Sequence, residues 1–247
     1  MKLNRICAVL RAVLLRFVFS LSFVFLLNAH MSLAMAIEEP KFETLKKEDP
    51  FEVRRYAPYL VAETFVQAGM DGASNQGFRR IADFIFGNNQ TPAGGSVGAD
   101  TGIVAGAVTG GVTGSSNKPP EKVSSKIAMT APVVVEPLQD IDQPMLNSEQ
   151  WRVFFVMPSE YSEATLPKPN NPDVKIRSVP TKYYAVFNYS GFNGTGKIQE
   201  YSDQLMQWVV KNHLKALGAP KLARYNPPWT LPMFRRNEIL IEIEGFK

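Results

Sequence analysis

The chain has 247 residues, 45% hydrophobic and 20% charged, with 27 Lys and Arg against 23 Asp and Glu. Four of the basic residues lie in the first 36, so the rest is balanced at 23 against 23, without the concentrated positive excess of a nucleic-acid or acidic-lipid binder. Cys7 and His30 fall there too, which leaves His213 as the one remaining histidine and excludes disulfides, thiolate nucleophiles and multi-histidine zinc sites beyond residue 36.

Residues 1–36 read as a secretory signal. Lys2, Arg5, Arg11 and Arg16 precede the apolar run 17–27, and Ala34 and Ala36 make a small-residue cleavage pattern. The apolar run has 11 residues, short of the roughly 20 that span a bilayer as a helix. The expectation is an exported chain, periplasmic or secreted, with an uncleaved anchor as the alternative. About 210 residues remain, enough for one domain with its own core.

In chain order, 51–69 alternates apolar and polar residues as two strands around Ala57-Pro58. Residues 75–86 place Phe78, Ile81, Ala82 and Ile85 on one helical face, with Ser74 as N-cap and Gly87 as stop. Residues 91–117, within a glycine-rich insertion over about 91–120, carry 8 of the 17 glycines. They read as a loop, although Gly98, Gly102, Gly106, Gly110 and Gly114 recur every four residues, a spacing that packs membrane helices. This makes 98–114 a candidate membrane contact.

Residues 151–158 and 237–244 read as strands, the second from Ile239, Ile241 and Ile243 alternating with Glu238, Glu242 and Glu244. A second copy of the early pattern begins at 174–192, Val174 to Arg177 overlying Phe51 to Arg54. A helix over 196–218 follows, striped by Ile198, Tyr201, Leu205, Trp208 and Val209 and stopped by Gly218 and Pro220. The fold expected is α+β: a distorted antiparallel β-barrel or sheet of two pseudo-symmetric β-β-α-β repeats with two long flanking helices.

The stretch KIAMTAPV (126–133), with EVRRYAPYLVAET, FRRIADFIFGNN and YNPPWTLPMFRRNEILIEI in order around it, resembles the SOUL heme-binding protein family over about residues 38–245. The resemblance implies a two-half barrel with two helices, and non-covalent binding of heme or protoporphyrin in a shallow hydrophobic groove, with no catalytic reaction known for most members. Carried over, the binding positions are the helix face of Phe78, Ile81, Ala82 and Ile85, and Tyr225 of the Tyr-x-Pro-Pro motif.

The residues add further candidates. Arg79, Arg80, Arg235 and Arg236 suit propionates, because guanidinium pairs bidentately with carboxylate; pairing with Asp83 and Glu238 on a solvated face is the competing reading. Met129 suits a groove wall, although methionine is more often a core filler. His213 is the weak candidate for an axial ligand, near the edge of the second helix's apolar stripe. No catalytic motif is present, and Glu63 and Glu238 are the only acid/base pair worth naming. Three functions compete: an exported tetrapyrrole buffer or carrier, an enzyme or binder for another small hydrophobic ligand, and an envelope interaction protein using the glycine repeat.

Overall fold

A computed structural model describes residues 37–92, 124–141 and 143–246. The expected leader at 1–36 and nearly all of the glycine-rich segment, including 98–114, lie outside them. Eleven strands and two helices are described: β1 (Phe42–Glu48), β2 (Phe51–Tyr56), β3 (Tyr59–Gln67), α1 (Met70–Ile85), β4 (Asn89–Gln90), β5 (Val133–Pro137), β6 (Gln150–Val156), β7 (Lys168–Pro169), β8 (Lys175–Val179), β9 (Lys182–Tyr189), α2 (Thr195–Lys211), β10 (Lys221–Arg224) and β11 (Asn237–Ile243).

Nine strands form one antiparallel sheet in the order β1-β2-β9-β11-β10-β5-β6-β3-β8, and β4 pairs with β7 in a small separate ribbon. The connections force this sheet to curl. β2 and β3 stand second from opposite edges, about 29 Å apart in a flat sheet at ~4.8 Å per strand. Only Ala57 and Pro58 join them, a link that reaches about 11 Å at most. Pro180 and Thr181 repeat the jump from β8, at one edge, to β9, third from the other. The result is a curled half-barrel, open because the edge strands β1 and β8 pair only with β2 and β3.

Each face of the curl has its own core. On the outer face α1 covers β3, β5 and β6, and α2 covers β9 and β11. Ile81, Phe84, Ile85, Trp151, Val153 and Phe155 are buried under the first helix and Leu205, Trp208, Ile239 and Ile241 under the second; each such side chain contributes about 1.5–3 kcal/mol. On the inner face, Val61 of β3 shares a buried cluster with Tyr184 and Val186 of β9, strands far apart in the sheet order. Only curling brings them together.

Both helices depart from the expected spans. α1 starts at Met70 rather than 75, because Met70 and Ala73 extend its buried stripe by a turn; Ser74 is therefore inside the helix and buried, not its cap. The Gly87 stop is present, at φ +124°. α2 ends at Lys211, well before Gly218. His213 takes φ +55°, its N–H bonds Val210 O at 3.0 Å, and Leu214 N–H bonds Val209 O at 3.0 Å. This Schellman closure turns Leu214 back onto the core.

Candidate functional site

β10 lies between the strands that α1 covers and those that α2 covers. Its Leu222 is sealed. Two residues on, Arg224 points to the same face by strand alternation and is not sealed. Register aligns a transverse row on that face: Phe155, Val133, Arg224, Asn237 and Tyr189, from β6, β5, β10, β11 and β9. Phe78 of α1 stands on Phe155 with ring centroids 5.5 Å apart, and Tyr201 of α2 stands 4.8 Å from Tyr189. The row thus crosses the sheet in the gap between the two helices, here called the groove, with an aromatic residue from each helix at its ends; Phe155 and Asn237 in it are sealed, and Val133, Arg224 and Tyr189 are partly exposed.

Arg224 is the charged centre of this row, with a side chain 25% exposed. Its Nη1 donates to Ser74 Oγ at 2.8 Å. The Asp71 carboxylate stands 3.7 Å from Nη2, beyond hydrogen-bond distance. Nε is buried and has no partner, a state that costs about 1–3 kcal/mol. Burial pulls the guanidinium pKa below its ordinary value, against the raising effect of Asp71 and Tyr189. Beside it, Asn237 donates to Gly191 O and accepts from Asn193, which also receives the Tyr189 hydroxyl at 2.7 Å. These bonds fix one bank of the groove.

The rim is apolar and exposed. Trp229 is 82% accessible and Phe192 66%, and Leu231, Met233 and Phe234 are similarly open. The loop that carries four of them runs from Arg224 to Asn237, two adjacent residues of the row. It is held in shape from inside: Arg235 donates to Thr230 O and Pro228 O and lies 6.0 Å from the Phe192 ring, and Asn226 accepts from the Arg236 N–H at 2.7 Å. Apolar side chains presented on a pinned loop are the feature expected of a surface that is covered in use.

The sequence-derived site residues divide among three places. Phe78 and Arg79 are exposed on α1, Phe78 at the groove end. Ile81, Ala82 and Ile85 are buried against the sheet and face the core. Met129 is half-buried and packs on the outer-face core. Tyr225 lies on the opposite face of the sheet from α1, inside the curl. There its hydroxyl donates to Glu238 at 2.6 Å. Glu238, which alternation suggested was solvated, is 0% exposed and accepts from Arg54 and Arg236 at 3.0 Å each. Burial, then the Glu238 charge, push the Tyr225 phenol far above its ordinary pKa, so it stays protonated.

His213 is exposed and sits past the end of α2, about 18 Å along the helix axis from Tyr201. Glu63 is held by Arg177 at 2.8 Å on the inner face. Arg80 bonds Phe65 O at 3.0 Å, and Arg236 is bound to Glu39 and Glu238. Sequence reasoning missed Arg224, Asn237 and Tyr189. One signal was available: in Lys221-Leu222-Ala223-Arg224-Tyr225, alternation puts a charge on the same face as the core residue Leu222. A separate cleft of about 280 Å³, floored by Tyr59, Leu60, Val156 and Met157, lies at the end of the sheet where residues 38–41 cross.

The sequence profile of the SOUL heme-binding proteins matches residues 37–101 and 113–242. The chain belongs to the SOUL family. The family binds heme non-covalently. No curated protein sequence matches the chain. Among solved structures, the EcmrR C-terminal domain is similar with a TM-score of 0.50 at 9% identity, covering 83% of this chain and 99% of that one. A protein described as a hydrolase from Listeria innocua gives a TM-score of 0.48 at 10% identity, covering 81% and 94%. At such identities the likeness to EcmrR concerns the fold, an α+β curled sheet with helices on one face.

The groove residues fit a SOUL ligand in two respects. Its exposed aromatic and aliphatic rim matches a flat apolar macrocycle, and the unpartnered Arg224 Nε matches a carboxylate. Among the groove's possible axial ligands, burial holds the Tyr189 phenol above its ordinary pKa, and the Met233 thioether on the rim is exposed.

Proposed function

We propose that this SOUL protein is an exported, non-enzymatic tetrapyrrole binder that takes heme or protoporphyrin in the outer-face groove between α1 and α2. The observation that carries the reading is the unsatisfied Arg224 guanidinium set in a groove whose rim is exposed and apolar. Phe78, Phe192 and Trp229 cover the ring faces, and Arg224 orients the ligand by a carboxylate. Apolar contact without a strong axial bond gives reversible binding, suited to buffering or transfer. Phe78, Arg79 and Met129 remain in the proposed contact set; Ile81, Ala82 and Ile85 support it from beneath. Tyr225 acts from the inner face by fixing the start of the 225–236 loop.

Glu63 and Glu238 are each bound by arginines, which argues against a free general base and for a binder over a hydrolase. The basic, apolar and small-residue order of 1–36 supports export, and the four-residue glycine period supports membrane contact through 98–114. We also read the fold as a duplicated unit: β2 pairs with β9 and β3 with β8, pairings that interchange when the copies are swapped.

The test is a Soret titration of the full chain with hemin and with iron-free protoporphyrin. Saturable shifts with both, of similar affinity, are expected. No shift with either sinks the proposal, and binding of hemin alone would show that iron ligation dominates.

A further inference from the structure

The arginines near the groove differ in what their donors already do. Arg80 is used on the β3 backbone, Arg235 on carbonyls of its own loop, and Arg236 on two carboxylates. Arg224 spends one N–H, on Ser74. The edge formed by Nε and Nη2 is the side of a guanidinium that grips a carboxylate with two parallel bonds. In Arg224 that edge holds no hydrogen bond: Nε is unpartnered, and Nη2 faces Asp71 across 3.7 Å.

Resting on the tetrapyrrole reading, we propose that Arg224 is the residue that reads a free ligand carboxylate, and that Asp71 is its displaceable placeholder. Asp71 belongs to the first turn of α1 and its side chain is 73% exposed. A contact so exposed and so long is weak, so displacing it costs little; Nε is sealed from solvent, so the incoming carboxylate must also uncover that atom. The incoming group gains two charge-assisted bonds where Asp71 makes none, and Nε loses its unsatisfied state. Ser74 keeps the guanidinium plane fixed through the exchange. The geometry therefore selects tetrapyrroles with an ionised propionate-type side chain against esterified or carboxylate-free ones. Losing a hydrogen bond to a charged group corresponds to about 10–100-fold in affinity.

The experiment uses the full chain with protoporphyrin and its dimethyl ester, read by Soret absorption and by tryptophan fluorescence quenching. The free acid should bind wild type about 10–100-fold tighter than the ester. Arg224→Gln should bind both like wild type binds the ester. Asp71→Asn should tighten the free acid a few-fold and leave the ester unchanged. Equal wild-type affinities for acid and ester overturn the proposal while the tetrapyrrole reading stands, and that comparison needs no folded variant. Discrimination that persists in Arg224→Gln or Arg224→Lys also overturns it. If wild type binds neither porphyrin, both readings fall.

Discussion

Replacing Gly77 by alanine should destabilise the protein, although alanine is the better helix former. A Cβ at Gly77 would lie 2.5 Å from Val153 Cβ, with both Val153 methyls within 2.8 Å. Ordinary carbon contacts begin near ~3.5 Å, so α1 and β6 must separate locally by about 1 Å. Val153 cannot swing aside, since the nearest atom is its own Cβ, fixed to a central strand. Overpacking costs about 1–3 kcal/mol, and here the displaced helix also loosens Ile81 and Phe84. The gain from removing a mid-helix glycine is about 1 kcal/mol. With a Cβ–Cβ approach of 2.5 Å the overpacking falls in the upper part of that range, about 2–3 kcal/mol, so the net loss is about 1–2 kcal/mol, or a fall of roughly 2–8 °C in Tm for a domain of this size. Gly196 in α2 is the control, because nothing lies within 4 Å of its added Cβ; Gly196→Ala should stabilise by about 0.5–1 kcal/mol. Urea melts followed by circular dichroism measure both. A Gly77→Ala protein as stable as wild type would refute the close-packing account of α1.

Glu238→Gln should cost about 3–5 kcal/mol, since it leaves Arg54 and Arg236 without the charge they converge on. Tyr225→Phe removes one donor from the same carboxylate and should cost about 1–3 kcal/mol in urea melts. Burial alone would raise the Glu136 carboxyl, but Lys221 and Arg152 outweigh it and hold it below the ordinary range. Its stabilisation is therefore complete above the unfolded glutamate value, about 4.3, and is lost as pH falls through the folded value. Glu136→Gln should flatten that acid limb in a pH series of melts. Trp229→Ala should change stability by less than about 0.5 kcal/mol and weaken porphyrin binding several-fold in the Soret titration.

Much of this fold is legible in the chain. The two-residue break at Ala57-Pro58, the stripe of α2 and the strand at 237–243 all follow from periodicity, because each buries one face. The helix ends were less legible. The start of α1 depends on Met70 and Ala73 being covered by β3 and β6, and the end of α2 on a histidine adopting a left-handed conformation that sequence seldom advertises. Glu238 shows why the candidate site was only partly readable. Alternation assigns it to the face opposite the helices, but that face becomes an interior only when the sheet curls, a property of long-range connections. Tyr225 is displaced from the helix side for the same reason. Arg224 escaped notice because its importance lies in a bond it does not make.

The short links at Ala57-Pro58 and Pro180-Thr181 also bear on when the chain acquires its shape. β2 waits for β9 and β3 for β8, partners more than a hundred residues further along. Such distant pairings are slow to form. During synthesis β2 and β3 emerge before the strands that complete their sheet, so one side of each lacks its partner until β8 and β9 are made. A late-closing chain of this kind holds its first strands without their distant partners until its last strands arrive. It would also expose Val53, Val61 and Ala62 to chaperones throughout that interval.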